Sequence, residues 1–465
     1  MSNQLYDLND IPWQVKRLRE LESRKQSVYF DVDDFEEIID HYVIGGEYRK
    51  ALQISEYAQK VHHGSVPLML KRAQLLASIN KEDKALEILS SVEALEPENS
   101  DIFLTKGAIY SQLKHYEKAI EEYSKAIDNA DEPDYIYCNI AFEYENMGNF
   151  DKTLEYLTKA LDLNPENDLA IYEAAYCFDL LSLTQESIDF FSKLIDRHPY
   201  SIEAWFNLGV SFINAELYEK ACESFEFALA IDPEHTPTWF HLGYAFSLND
   251  KFKEAIKAYK NSFDDDDGDA MKYYYIGECY EKMEEYEKAC QYYKKATNMQ
   301  PDIADAWIGM GVCEQELGNT KTALKYLQMG LDLDEGNTGY YCIIADIYMA
   351  QGSFDKAVFF FEKAIESSPD EEIIRIDFAD AMAEIEEYRF AEAIIIEAME
   401  KFQSSATLNY RMAAILYLQG KSREASYFLE EGLLLDYEKN TTMLEQYPQL
   451  RENSELMALI DFYHQ

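Results

Sequence analysis

Small, large and polar residues recur along this chain with a period of 34 residues, twelve times without insertion or deletion, from Val32 to Lys439. Number each unit from its first residue. Positions 4, 7, 8 and 11 then share one stripe of a helix, because residues three and four apart face the same way. Positions 20, 24 and 27 make a matching stripe on a second helix. Position 8 is Gly or Ala in eleven of twelve units, Ile39 being the exception, and position 20 is Ala in ten. Position 24 is large and apolar in eleven units, as at Phe191, Phe225, Tyr259, Tyr293 and Phe361. Small residues at 8 and 20 let two backbones approach, while bulky residues at 4 and 24 fill the space beside them. The pattern predicts two antiparallel helices per unit, twenty-four over residues 32–439.

The punctuation agrees with that reading. Gly at position 15 (Gly46, Gly148, Gly318, Gly352, Gly420) suits an inter-helix turn that needs a left-handed backbone angle. Pro at position 32 (Pro97, Pro165, Pro199, Pro233, Pro301, Pro369) cannot continue a helix and ends the second one. Pro67 and Pro237 fall at position 2, in the first turn, where a missing N–H costs nothing.

Position 4 holds Trp205, Trp239 and Trp307. In one unit Trp205-Phe-Asn-Leu208-Gly209-Val-Ser-Phe212 is followed by Ala221, Phe225, Ala228 and Pro233. This order and period resemble the tetratricopeptide repeat family, with Phe where the family pattern has Tyr. The resemblance implies an all-α, right-handed superhelical solenoid of antiparallel helix hairpins, with the first helices lining a concave groove. The end units are weaker: Phe35 to Ala58 lacks the bulky second-helix residue, and the last two units place Arg375 and Asn409 at position 4. End units of a solenoid bury only one side.

Outside the array, residues 1–31 suggest a capping or docking helix from Pro12, with Trp13, Leu18 and Leu21 as packing residues. Lys16, Arg17, Arg19, Arg24 and Lys25 form the most basic stretch, so a docking arm is the alternative to a cap. Residues 440–465 predict a C-terminal capping helix with Ser454 as its N-cap.

Charge narrows the partners. The formal net charge is −46, spread so that every repeat is acidic. Nucleic-acid binding needs phosphate neutralisation by Lys and Arg, and anionic membranes repel such a surface. We therefore expect no nucleic-acid and no membrane partner, and a monomer or weak homodimer. A basic partner would be attracted. No transmembrane run or secretory signal is found, so a cytoplasmic location is expected.

Candidate chemistry is sparse. Seven cysteines sit at helical positions without framework spacing, which favours a reducing compartment. Positions 10 and 21 face across a hairpin, so Cys279 and Cys290 could be neighbours. The adjacent His62 and His63 read as a loop end, and the run Asp264 to Asp269 as a solvated acidic loop lacking the ligand spacing of an EF-hand. No phosphate loop, metal-ligand spacing or nucleophile motif occurs. No catalytic residue, cofactor or metal is expected.

What remains is the groove that the resemblance implies, with positions 2, 5, 9, 12 and 13 pointing into it. The middle units place Tyr135, Phe142, Tyr172, Tyr176, Phe206, Phe240, Tyr244 and Tyr274 there, rimmed by acids such as Glu278. Position 5 is also compatible with a core role; a core needs nothing large at position 9, which leaves Phe142, Tyr176 and Tyr244. Aromatic side chains with an acidic rim suit a protein or peptide segment carrying apolar anchors and basic flanks. The expectation is a non-catalytic interaction scaffold or adaptor. An assembly factor or regulatory subunit using its ends or convex face, or a non-catalytic component of an enzyme complex, is the alternative. The position-6 cations Lys71 and Arg411 are too isolated to clamp a carboxylate.

Overall fold

The computed structural model describes residues 12–24, 29–263 and 269–463. Within them are twenty-seven α-helices, two short 3-10 turns and no strand. Lys25 and the acidic residues Asp264 to Asp267 lie outside the described residues. The chain divides into two compact units, Met1–Glu234 and His235–Gln465, and each is an all-α solenoid of antiparallel helix hairpins.

The period fixes helix boundaries almost residue by residue. Eleven first helices start at position 1, and the fourth starts one residue earlier at Pro133. All twelve first helices end at position 13 and all twelve second helices start at position 17. Seven of the twelve starts are set by Asp, Asn or Ser just before the repeat. Asp31, Asn99, Asn167, Ser201, Asp269, Asn337 and Ser405 each accept a bond from a backbone N–H of the first turn, the usual satisfaction of orphan donors.

The turn between the helices is the same in every repeat. The N–H of position 16 donates to the carbonyl of position 11, as in Glu47 to Tyr42 at 2.8 Å and Lys421 to Leu416 at 2.9 Å. Position 15 has a positive φ in all twelve repeats. This is a Schellman ending. The five glycines there were legible as turn residues. The other seven positions, Asn80, Lys114, Ser182, Glu216, Asp250, Glu284 and Glu386, adopt the same angle with a side chain attached.

Position 24 forms the centre of each hairpin. Phe191, Phe225, Tyr259 and Phe361 are completely buried. A Cβ on Gly243 would lie 2.7 Å from the Tyr259 ring, and one on Gly209 would lie 2.5 Å from Phe225. Where position 4 is Trp it is only half-buried, and it does more than fill space. The Trp205 indole donates to the carbonyl of Pro199 at 2.9 Å and Trp307 to that of Pro301 at 2.8 Å, each tying a repeat to the position-32 proline before it. Arg375, which reads as a weakened position 4, makes the same link from Nη1 to Pro369 at 2.9 Å.

At the N-terminal end the helix Trp13–Ser23 buries Val15 and Leu18 against Phe35, Ile38 and Ile39. Trp13 does not pack as expected and is 56% exposed, because it is the first helical residue and points off the stripe. His62 is not a free loop end either: its Nε2 lies 2.8 Å from the Phe30 carbonyl. At the other end a helix Asn440–Gln446 and a 3-10 turn Pro448–Glu452 precede the expected Ser454–Tyr463. Its cap is Asn453, not Ser454: the Asn453 side chain accepts from Glu455 and Leu456, both at 3.1 Å. Met443, Tyr447, Leu450, Leu456 and Ile460 share one core cluster with the last two repeats.

Two outcomes follow from this packing. A non-glycine residue in the left-handed region is strained by about 1–2 kcal/mol, partly offset in a glycine variant by unfolded-state entropy. Glu284→Gly should therefore slow amide exchange in its hairpin, and Gly318→Ala should accelerate it; no change in either would contradict the strain. Gly243→Val should destabilise the seventh repeat by about 1–3 kcal/mol through overpacking on Tyr259, read as earlier proteolysis there.

Candidate functional site

The candidate residues fall on first helices, and the structure separates them into two groups. In the first unit the helices Pro133–Asn146 and Asp168–Leu180 present Tyr135, Phe142, Tyr172 and Tyr176 to solvent, and Ile202–Asn214 follows with a half-buried Phe206; Tyr172 is 67% exposed and Phe142 51%. Tyr172, Tyr176, Phe206, Asn207 and Val210 line one open groove of about 580 Å³. Exposed rings at this density are uncommon on a surface that has no use for them.

A polar clamp fixes the spacing of these helices. Asp134, buried at the start of the fourth repeat, accepts from Asn164 Nδ2 and Asn167 Nδ2, both at 2.8 Å. Asn167 also caps its own helix by accepting from the Ala170 N–H at 3.0 Å. One side chain thus ends one repeat, starts the next, and sets the approach of Tyr135 to Tyr172.

The acids beside the rings are not freely solvated. Burial pushes the Glu145 carboxyl up, and burial followed by the charge of Glu145 pushes up Glu173. No salt bridge reaches either among the described residues. Burial, reinforced by nearby carboxylates, raises the Cys138 and Cys177 thiols to about 12. They are protonated near neutrality and are poor nucleophiles.

In the second unit Phe240, Tyr244 and Tyr274 are half-buried among other rings. Phe240 lies 5.5 Å from both Tyr259 and Tyr275, Tyr244 lies 6.1 Å from Tyr275, and Tyr274 lies 5.8 Å from Tyr293. These are edge and tilted ring contacts that contribute to packing. Glu278 is also drawn in, and burial raises its carboxyl. An open aromatic strip reaching to Tyr274 is thus not what these side chains form: Tyr275, at position 6 of the eighth repeat, occupies the space beside Tyr244. That residue escaped a reading confined to positions 2, 5 and 9.

The cysteine pairing also differs from expectation. Cys290 Sγ donates to the Met310 carbonyl of the next repeat at 3.9 Å, while Cys279 is buried with Ala255, Ile256 and Tyr259 of the preceding one. The face of a second helix that carries position 21 turns toward the following repeat, not back across its own hairpin. Lys71 and Arg411 each meet an acid, Asp40 at 2.8 Å and Asp380 at 2.9 Å. Among the described residues, no three His, Cys, Asp or Glu side chains converge as a metal site, and no helix is long and apolar enough to cross a membrane.

Family profiles described as tetratricopeptide repeat match residues 135–167, 268–336, and the three stretches 100–132, 202–235 and 338–371. This is a tetratricopeptide repeat protein. No curated protein matches its sequence. Solved structures similar to it include yeast Tom70, at 15% identity and TM-score 0.44, covering 90% of this chain and 96% of that one. The APC/C hetero-tetramer Cut9–Hcn1 is 14% identical with TM-score 0.41, over 87% of this chain and 93% of that one. A tetratricopeptide repeat protein from Parabacteroides merdae ATCC 43184 is 15% identical with TM-score 0.43, over 54% of this chain and 98% of that one. Likeness at this level carries neither partner nor activity across.

Beneath the exposed rings of the fourth repeat lies Glu143, 1% exposed, with Oε2 lacking a hydrogen-bond partner. Burial raises its carboxyl above the ordinary 4.5, and a bond from Ser111 opposes this only in part. The folded protein therefore holds this proton more tightly than the unfolded chain. The stabilisation is fully present below about pH 4.5 and is lost as pH rises through the folded value. Glu143→Gln should melt higher than the parent near pH 7–8, with the gain shrinking toward pH 4.5; a constant difference across that range would contradict the assignment.

Proposed function

We propose that this protein is a non-catalytic scaffold that holds a segment of a partner protein against the first helices of the fourth to sixth repeats. The observation that carries the reading is the alternation of exposed rings with half-buried, unpaired carboxylates: Phe142, Tyr172 and Tyr176 with Glu145 and Glu173. Apolar anchors of a bound segment would cover the rings, which supply large contact area at low conformational cost. A flanking Lys or Arg would offset the carboxylates, whose desolvation has no counter-charge in the free protein. On this reading Phe206 contributes one wall of the groove. Phe240, Tyr244 and Tyr274 pack on rings of their own and the adjoining repeat, and Glu278 is half-buried beside them.

The terminal segments, residues 1–31 and 440–465, are proposed as caps of the array in residues 32–439. Val15 and Leu18 at one end, and Leu450, Leu456 and Ile460 at the other, are buried against the terminal repeats, as a solenoid's exposed ends require.

The test is affinity purification of the tagged full-length chain from its own cells. Tyr172→Ala with Tyr176→Ala should reduce recovery of the captured partner at least tenfold without lowering the melting temperature, since both side chains are exposed. Glu145→Gln with Glu173→Gln should weaken recovery and reduce its salt dependence. Undiminished recovery with both double variants would place the binding surface elsewhere.

A further inference from the structure

The last three repeats hold a second feature of a different kind. A groove of about 460 Å³ runs along the first helices Thr338–Ala350, Glu372–Glu384 and Ala406–Leu418. Asp346, Asp377 and Glu384 line it and are exposed, and the Ile373 side chain, 55% exposed, supplies an apolar wall. Among the described residues no salt bridge reaches any of these three acids.

The floor is a buried ion pair. Arg411 and Asp380 are 8% and 7% exposed, with Arg411 Nε 2.9 Å from Asp380 Oδ2. Tyr447 donates its hydroxyl to Asp380 Oδ1 at 2.5 Å and offers its ring to the guanidinium at 5.7 Å. The ion-pair contact is poorly aligned for a hydrogen bond. Both Nε and Nη1 of Arg411 lack a hydrogen-bond partner. A buried guanidinium N–H without an acceptor is costly. The one other cation at the groove, Lys439, stands 3.8 Å from Asp436 and is already paired.

The charge balance decides what fits. Asp380 already matches Arg411, so the three open carboxylates have no counter-charge. Loss of hydration, then the charges of Asp377 and Glu384, push Asp346 up to about 6. An anion would meet those three acids; a cation would meet its own sign only in the buried guanidinium, which Asp380 matches, and in Lys439, which Asp436 matches. A bare metal ion is not suited, since no three ligating groups converge here among the described residues.

We propose that this groove receives a lysine or arginine side chain of a bound protein segment. The cationic head sits between Asp346, Asp377 and Glu384, the alkyl stem lies along Ile373, and a main-chain carbonyl of the same segment accepts from Arg411. Long cationic side chains use this division of stem and head elsewhere. The proposal rests on the reading that the protein holds partner segments, but it uses different repeats.

The probe is a blocked pentapeptide, acetyl-Ala-Ala-Lys-Ala-Ala-amide, titrated into the full-length protein at low ionic strength and followed by saturation-transfer NMR. Its norleucine counterpart keeps the stem and lacks the charge. The lysine peptide should bind at least tenfold more tightly than the norleucine peptide. Asp346→Asn with Asp377→Asn should remove that difference. Asp332→Asn with Glu335→Gln makes the same change in net charge at exposed acids away from the groove and should leave it intact. Arg411→Lys keeps the charge but loses the guanidinium fork. It should weaken the peptide while leaving n-butylammonium, which has no carbonyl, unchanged; matched melting curves would show that the fold survives. Equal binding of the two peptides, or equal loss with the Asp332 and Glu335 control, would overturn the proposal. If Tyr172→Ala with Tyr176→Ala keeps its partner, the reading of the fourth to sixth repeats fails, while this groove still stands or falls on Asp346 and Asp377.

Discussion

The structure depends on one contact repeated in eleven of the twelve hairpins: a small residue at position 8 facing a large one at position 24. At Gly107, Gly209, Gly243 and Gly277 an added Cβ would come within 2.8 Å of the ring that fills the hairpin. That approach sets how closely the two helices pack, and hence where each second helix meets the next first helix. An error of half a side chain would be passed to the neighbouring repeat, because a solenoid has no distant contacts to correct it. The Schellman turn at position 15 serves the same constraint. It holds the hairpin at one angle even where Lys114, Glu216 or Glu284 must take a left-handed backbone to do so.

The hairpins and their limits were legible because period, small residues and proline all report on backbone geometry, which each repeat settles within itself. Exposure of a groove residue is not settled that way. Phe142, Tyr176 and Tyr244 all occupy position 9, yet the first two are exposed and the third is half-buried. The difference lies in the following repeat, at position 6: Glu173 after Phe142, Asn207 after Tyr176, and Tyr275 after Tyr244. A ring at that place packs on its neighbour, and a shorter polar side chain leaves it open. A groove residue can therefore be assigned only when two repeats are read together.

Position 4 was misjudged for a related reason. Trp205 and Trp307 read as core filling, but each is a half-buried side chain whose N–H reaches back to a proline carbonyl. Seen as a hydrogen-bond donor, Arg375 is a substitution that preserves the link between repeats, with its guanidinium 5.7 Å from the Phe402 ring in addition. Hydrophobicity ranks Arg as a defect at this position. Donor geometry ranks it as an equivalent, since guanidinium and indole both present an N–H at the end of a flat, partly apolar group.

The acidic surface divides along the same line. Most of the 88 Asp and Glu side chains can stay hydrated, and their repulsion is screened over about 10 Å at 0.1 M salt. Two pairs of carboxylates that lose water lie where one first helix meets the first helix of the next repeat. Glu145 at position 12 meets Glu173 at position 6 in one unit, and Asp346 at position 9 meets Asp377 at position 6 in the other. Position 6 thus governs both properties of this face. With Tyr275 it closes the surface, and with an acid it opens the surface and concentrates uncompensated negative charge. Crowded carboxylates oppose folding at neutral pH, and the packing of these repeats gains nothing from them. A ligand cation would reverse the sign of that cost, which is the pattern by which perturbed ionisable groups mark binding surfaces.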